Sequence, residues 1–466
     1  MIKDKATLRL ILHLAWPTML EELLTTAVSY VDTAMVGSLG SNASAAVGCT
    51  MTVNWMLNGI VSALGVGFIS YIARAIGAGK PYEAKRAAAQ SVLLAIIGGA
   101  VITLFSLPLA KYIPVWMQAD EGIREDASMY FFILYIPMLF RAAIMMFGTI
   151  LRASGDTRTP MRVNIASNLI NVVLNFIFIY ETRSRTVFGL TFTTFGFGFG
   201  VTGAAIASAI AFIFGGIVMT RRLYASPIAS PKGMPLKPDP SILKPCFKVA
   251  MPACAQRLAT SFGYVAFSAM INKLGSVSTA AHTIANTAES AFYIPGWGMQ
   301  TAASTLIGNA YGERNRKKFD SLSRMLLILE FGIMVISGTV LFCGAKLLMS
   351  LFTPDADVIK LGSKVLRMVA VSEPIYGVAI IIEGIFNGIG DTFHQFIFNV
   401  IGMWGVRILG TFIFVQRLGY QLPAAWACMI AHNVSLGIML SVKYMLKRWL
   451  PKELMKPDER QNIVTD

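Results

Sequence analysis

Asp32 interrupts a long apolar run near the start of the chain, and a lone carboxylate in such a setting must take a proton, a cation or a hydrogen-bond donor. Much later, Asn164, Asn168, Asn171 and Asn175 follow one another at spacings of four, three and four, which puts four amides on one helical face. Such a stripe does not face lipid. Buried amides need partners and hard cations favour oxygen ligands, so Asp32 with Asn171 and Asn175, and with Asn168 as a further candidate, forms a candidate site for sodium or a proton. The plainer alternative is interhelical hydrogen bonding with no ion involved. Glu21, Glu289 and Glu383 also sit in apolar surroundings. All three are secondary acidic candidates; Glu289 and Glu383 could hold a cationic compound or a proton, or else be structural partners of Arg257 or Arg407.

Other constellations carry less. Gly198, Gly200 and Gly203 spell GxGxxG without a strand-turn-helix context, so close helix packing is the better reading than dinucleotide binding. His13, His282, His394 and His432 are isolated, and Cys49, Cys246, Cys254, Cys343 and Cys428 lack CxxC spacing, so no resident metal or disulfide framework is expected. No GxxxxGK[ST] motif is present, which removes ATP as a driving force. No cluster of His, Asp or Ser suggests catalysis, and no cofactor is expected.

The elements that must position these side chains are membrane helices. Of 466 residues 55% are hydrophobic and 14% charged, with a mean hydropathy of +0.61, too little polar surface to clothe a water-soluble globule of this size. Stretches long enough to cross a bilayer recur at 9–36, 46–73, 88–113, 128–152, 160–182, 198–221, 246–272, 278–308, 322–348, 362–388, 395–417 and 422–446. The first lacks a cleavage signal and reads as a retained span.

The net charge of +15 is not gathered into a nucleic-acid-binding stripe. Most of the 40 basic residues fall in alternate connections, and only Lys111, Arg124, Arg183, Arg185, Lys273, Lys346, Lys360, Lys364, Arg367 and Arg417 fall in the opposite ones. This asymmetry places both termini in the cytoplasm. A stretch at 226–245 interleaves prolines with lysines and reads as an extended, hydrated cytoplasmic linker.

On either side of that linker the chain repeats itself at an offset of 235. Ala15 and Pro17 map onto Ala250 and Pro252, Leu39–Ser41 onto Leu274–Ser276, and Gly155–Thr157 onto Gly390–Thr392. The register slips by about two residues inside the fourth and tenth spans. The expected fold is all-α and integral to the membrane. Its 12 transmembrane helices form two six-helix bundles related by a pseudo-two-fold axis along the membrane normal. The boundaries are 1–225 for the N-terminal lobe, 226–245 for the linker, 246–448 for the C-terminal lobe and 449–466 for a cytoplasmic tail.

The run Pro17, Val31 to Gly37, and Leu151-Arg152-Ala153-Ser154-Gly155-Asp156-Thr157-Arg158-Thr159-Pro160 resembles the multidrug and toxic compound extrusion (MATE) transporters, as do Ala280-Ala281-His282 and Pro295-Gly296. The resemblance covers nearly the whole chain. It implies a twelve-helix antiporter that expels amphipathic or cationic organic compounds in exchange for Na+ or H+. It also makes Asp32 the coupling aspartate of the first lobe and Asn171 and Asn175 a fifth-helix polar pair, with Ser208 adding a hydroxyl. Some members carry an aspartate where Asn175 stands, which weakens the case for tight sodium binding. The repeat partner of Asp32 is Phe267, so the two lobes differ in charge, and the family's other acidic positions here read Thr260 and Tyr376.

Secondary active efflux from the inner (plasma) membrane is therefore the leading expectation, with a small organic substrate, Na+ or H+ and the bilayer as partners. A flippase or dedicated exporter of a lipid-linked saccharide or single metabolite is the alternative, disfavoured by the scarcity of basic residues within spans. An ion channel lacks a pore-lining interruption.

Overall fold

The computed structural model describes residues 5–187 and 190–446, with side chains throughout except at 183–194. The first repeat builds α1 (Lys5–Gly37), α2 (Ser41–Gly77), α3 (Pro81–Leu109), α4 (Ile113–Trp116), α5 (Glu121–Tyr135), α6 (Met138–Ala153), α7 (Arg158–Ile179) and α8 (Gly200–Tyr224). The second builds α9 (Pro240–Asn272), α10 (Ser276–Gly312), α11 (Arg316–Phe352), α12 (Ala356–Ala370), α13 (Glu373–Ile389) and α14 (Thr392–Val400). It ends with α15 (Leu409–Thr411) and α16 (Leu422–Leu446), and α15 lies between two π-helical stretches, Ile401–Ile408 and Phe412–Arg417.

Among the described residues seven helices are long and apolar enough to cross a membrane, and two bent pairs, α5 with α6 and α12 with α13, bring the count to nine. α1, α9 and α10 are as long, at 33, 33 and 37 residues, but carry more polar side chains.

The repeat is visible in the elements. α9, α10 and α12 begin and end at the positions of α1, α2 and α5 displaced by 235. The turns repeat too: Gly155 and Gly390 both take a left-handed conformation, at φ +89° and +90°, which glycine adopts without a Cβ clash. At the corresponding pair Gly79 and Arg314, the arginine holds the left-handed conformation.

Three features depart from the sequence reading. The fourth and tenth spans are broken by 54° and 55°, beside Pro137 and Pro374, where the lost amide donor and ring sterics stop a continuous helix. The two-residue slip in the repeat falls at these breaks. Between α7 and α8, β1 (Glu181–Val187) and β2 (Leu190–Phe197) pair antiparallel, with Glu181 opposite Phe197 and Val187 opposite Leu190. Finally, the segment before α9 is docked rather than free. Gln90 Nε2 donates to the Lys237 carbonyl at 2.8 Å, the Asp239 amide donates to Gln90 Oε1 at 3.0 Å, and Arg86 pairs with Asp239. Ala229 and Pro231 are buried.

The chain divides into two compact units. Of the described residues, one contains those up to Glu22, Ile69–Pro81 and those from Pro245; the other contains Leu23–Phe68 and Tyr82–Lys244. Both rely on glycines for close helix approach, as expected where lipid supplies no hydrophobic drive between helices. In the second unit, a Cβ at Gly203 would stand 2.3 Å from the Phe178 carbonyl oxygen, so this member of the GxGxxG string serves packing. In the first, Thr18 Oγ1 donates to the Gly298 carbonyl at 2.8 Å. There too, Gly77 meets the Asn309 backbone and its repeat partner Gly312 meets that of Arg74. All five cysteines are free, three of them buried.

Candidate ion-coupling site

Asp32 lies on α1 five residues before its end, and α7 carries the asparagines past it. Asn175 Nδ2 donates to Asp32 Oδ1 at 2.7 Å. The Asn171 amide satisfies both its neighbours when its nitrogen faces Asp32, 2.9 Å from each carboxylate oxygen, and its oxygen faces Ser208 on α8, 3.2 Å from the amide and 3.0 Å from Oγ. Three elements therefore converge on one carboxylate. Asn171 and Asn175 are buried while Asp32 is partly exposed. The side-chain oxygen of Asn175 is buried with no donor to satisfy it. Beside a carboxylate, such an oxygen is a ready ligand for a cation or an acceptor for a protonated group.

The remaining asparagines of the stripe sit further along the helix. Asn168 Nδ2 reaches Thr25 Oγ1 at 3.4 Å, and Asn164 is a full turn beyond. The geometry thus joins Asp32, Asn171, Asn175 and Ser208 and leaves Asn168 at the edge. Glu21 is buried three turns back along α1, in the other compact unit, and is not part of this cluster.

Two polar groups of this unit escaped the sequence reading, Tyr130 on α5, which packs against the cluster that holds Met35 and Val36 of α1, and Arg141 on α6. The Arg141 guanidinium lies over the rings of Phe212 and Tyr135, at 4.9 and 5.7 Å. An arginine inside an apolar helix was a visible signal in the sequence.

The unit holding the second repeat has acids of its own, and Glu383 on α13 is partly buried. Glu383 accepts from Asn399 Nδ2 at 2.7 Å, from Gln300 Nε2 at 3.2 Å and from Gln256 Nε2 at 3.4 Å. A carboxylate dressed by amides is the same chemical solution that α7 offers Asp32. Among the described residues no salt bridge within 4.0 Å joins Glu289 or Glu383 to Arg257 or Arg407, and the hydrogen-bond partners of the Glu383 carboxylate are amides. Arg407 stands over Phe267 at 4.0 Å and over Tyr264 at 5.0 Å. Where the first repeat places the acid Asp32, the second places a buried phenyl ring under a cation.

Glu330 on α11 and Glu373 at the start of α13 were not singled out from the sequence, and both are buried. Neither carboxylate oxygen of Glu330 has a partner, and Oε1 occupies the space 2.5 Å from where a Cβ on Gly296 would stand. Its position in the run Leu326 to Val335 was the available signal. His282 packs between the rings of Phe267 and Trp426, and the described residues contain no cluster of three or more histidine, cysteine or acidic groups that could hold a metal.

Long apolar helices repeated across a linker, with acids held inside them by amide side chains, define a polytopic membrane transporter. The sequence profile of the MatE family matches residues 17–177 and 252–413, and the chain belongs to this family, the multidrug and toxic compound extrusion transporters. Among curated proteins it is similar to a probable multidrug resistance protein NorM of Thermotoga maritima, 26% identical over 441 residues that make up 94% of this chain and 92% of that one. It is also 21% identical to the multidrug export protein MepA of Staphylococcus aureus, over 94% of this chain and 93% of that one. Among solved structures it resembles a multidrug resistance MATE transporter of the MOP superfamily in an outward-facing conformation, with TM-score 0.87, 26% identity and 97% of both chains covered. A MOP superfamily transporter from Pyrococcus furiosus, described as having a binding pocket of reverse polarity, matches at TM-score 0.87 and 25% identity, again over 97% of both chains.

Proposed function

We propose that this protein exports amphipathic or cationic organic compounds across the cell inner membrane by antiport with Na+ or H+, and that Asp32 is the residue at which the ion exchanges. The observation that carries the reading is the Asp32 carboxylate held by Asn171 and Asn175, with the Asn175 oxygen left unsatisfied beside it. An ion bound there replaces amide donors as the partner of the carboxylate and draws α1 and α7 into a different arrangement. A bound ion and an empty site thus favour different packings, the requirement for coupling.

The same proposal carries twelve spans: the seven single helices, the two bent pairs, and α1, α9 and α10. They form two six-helix lobes, 1–225 and 246–448, with the 226–245 connection, a 449–466 tail and both termini in the cytoplasm. Glu383 and Glu289 are secondary sites for a cationic substrate or a proton. Relatives named for multidrug resistance support the substrate class. The test is efflux of a fluorescent cationic dye from proteoliposomes under an imposed sodium or pH gradient. Transport driven by one gradient names the ion; no dye movement under either would turn attention to export of a single metabolite or a lipid-linked saccharide.

A further inference from the structure

Three cations stand on the face of the molecule that the charge asymmetry leaves poorest in them. Lys360, Lys364 and Arg367 lie at i, i+4 and i+7 of α12, all exposed, while the opposite side of that helix buries Val358, Val365, Leu366 and Val369. None of the three pairs with a carboxylate among the described residues.

The three border a shallow cleft of about 410 Å³ completed by Phe342, Ser363 and Met368. The Arg367 guanidinium lies 6.0 Å over the Phe342 ring. α12 packs antiparallel on α11, with Gly362 against Met349 and Gly338 against the Ala370 carbonyl. Seven and eleven residues before Phe342, and so on the same face of α11, Val335 and Phe331 are exposed as Phe342 is, and Val371 and Ile375 beyond the end of α12 are exposed too. From Phe342 to Phe331 the helix rises about 16 Å, roughly half the hydrocarbon thickness. A cationic rim above an apolar track one leaflet deep has the shape and charge of one kind of ligand.

We propose that this cleft is a binding site for an anionic phospholipid. Its phosphate sits among Lys360, Lys364 and Arg367 and an acyl chain runs along Phe342, Val335 and Phe331. The lipid seats α12, and with it the bend into α13, against α11. Free phosphate shares the headgroup chemistry but has no use for the track.

The experiment is native mass spectrometry of the purified full chain from nanodiscs of phosphatidylglycerol mixed with phosphatidylcholine. The variants are Lys360→Gln/Lys364→Gln/Arg367→Gln, the charge-keeping Lys360→Arg/Lys364→Arg/Arg367→Lys, and Arg221→Gln/Arg222→Gln as a control at the end of α8. A basic residue at a charged lipid surface strengthens association about fivefold, so the neutralised triple variant should lose phosphatidylglycerol preference on the order of a hundredfold. The charge-keeping variant and the control should retain it, and millimolar inorganic phosphate should leave it unchanged. Equal retention of the two lipids by wild type, unchanged preference in the neutralised variant, loss in the charge-keeping variant, equal loss in the control, or displacement by inorganic phosphate would each overturn the proposal.

Discussion

Replacing Gly77 or Gly312 by alanine tests the closest helix approach in the unit that holds both. A Cβ at Gly77 would stand 2.0 Å from the Asn309 carbonyl oxygen, and one at Gly312 would stand 2.1 Å from that of Arg74. Ordinary contact begins near 3.4 Å, so each alanine demands a separation of about 1.4 Å or 1.3 Å. The obstacle is backbone and cannot rotate away. Overpacking a tight interface costs about 1–3 kcal/mol, and these substitutions belong at the upper end, a fall in melting temperature on the order of 5 °C. Because the first alanine already parts α2 from α10, the double variant should lose less than the sum of the singles. Gly98 on α3 has nothing within 4 Å of its Cβ position and provides the control, where alanine should be neutral or slightly stabilising. Thermal unfolding in one detergent, read by fluorescence, compares the four variants. Strictly additive losses, or losses at Gly98 as large as at Gly77, would refute the argument from contact.

Three further outcomes follow from the same geometry. Glu383→Gln puts a donor where Asn399, Gln300 and Gln256 all donate, and should cost about 1–3 kcal/mol of stability, with Glu383→Ala costing at least as much because three donors lose their acceptor. Asn175→Leu removes the 2.7 Å donor to Asp32 and should abolish gradient-driven dye efflux in proteoliposomes while the protein still purifies as a monodisperse species. In the turn before α14, burial alone would raise the Asp391 carboxyl. Lys443 Nζ at 2.5 Å and His394 Nδ1 at 2.7 Å outweigh burial and hold it below its ordinary value of 3.8. A depressed acid stabilises the fold at pH above its unfolded value, and that contribution is lost as pH falls through the lower folded value. Lys443→Met should therefore lower the melting temperature at pH 7 and flatten its fall below pH 4.

Much of this arrangement was legible beforehand because a repeat is a property of the letters. The register linking Gly155 to Gly390 reappears as the same left-handed turn twice, and the alignment of α1 with α9 holds to the residue. The Asp32, Asn171 and Asn175 cluster was legible because polar side chains at helical spacing in apolar surroundings have few places to go. The bends at Pro137 and Pro374 were hidden by hydropathy, which runs through a proline unbroken. The β1–β2 hairpin was hidden because its pairing depends on two strands meeting across a turn, and no local periodicity announced it. Tyr130 and Arg141 were missed for a related reason: the contact of Tyr130 with the Met35 and Val36 cluster, and of Arg141 with Phe212, depends on how helices pack, which spacing along one helix does not encode.

The most direct test of the central claim is dye efflux from proteoliposomes containing wild type or Asp32→Asn, under a sodium gradient and separately under a pH gradient, with dye binding measured on the same preparations. The account predicts that wild type responds to one gradient and that the variant, still folded and still binding dye within a few-fold of wild type, responds to neither. Undiminished gradient-driven efflux by Asp32→Asn would contradict it and shift the coupling role to Glu289 and Glu383.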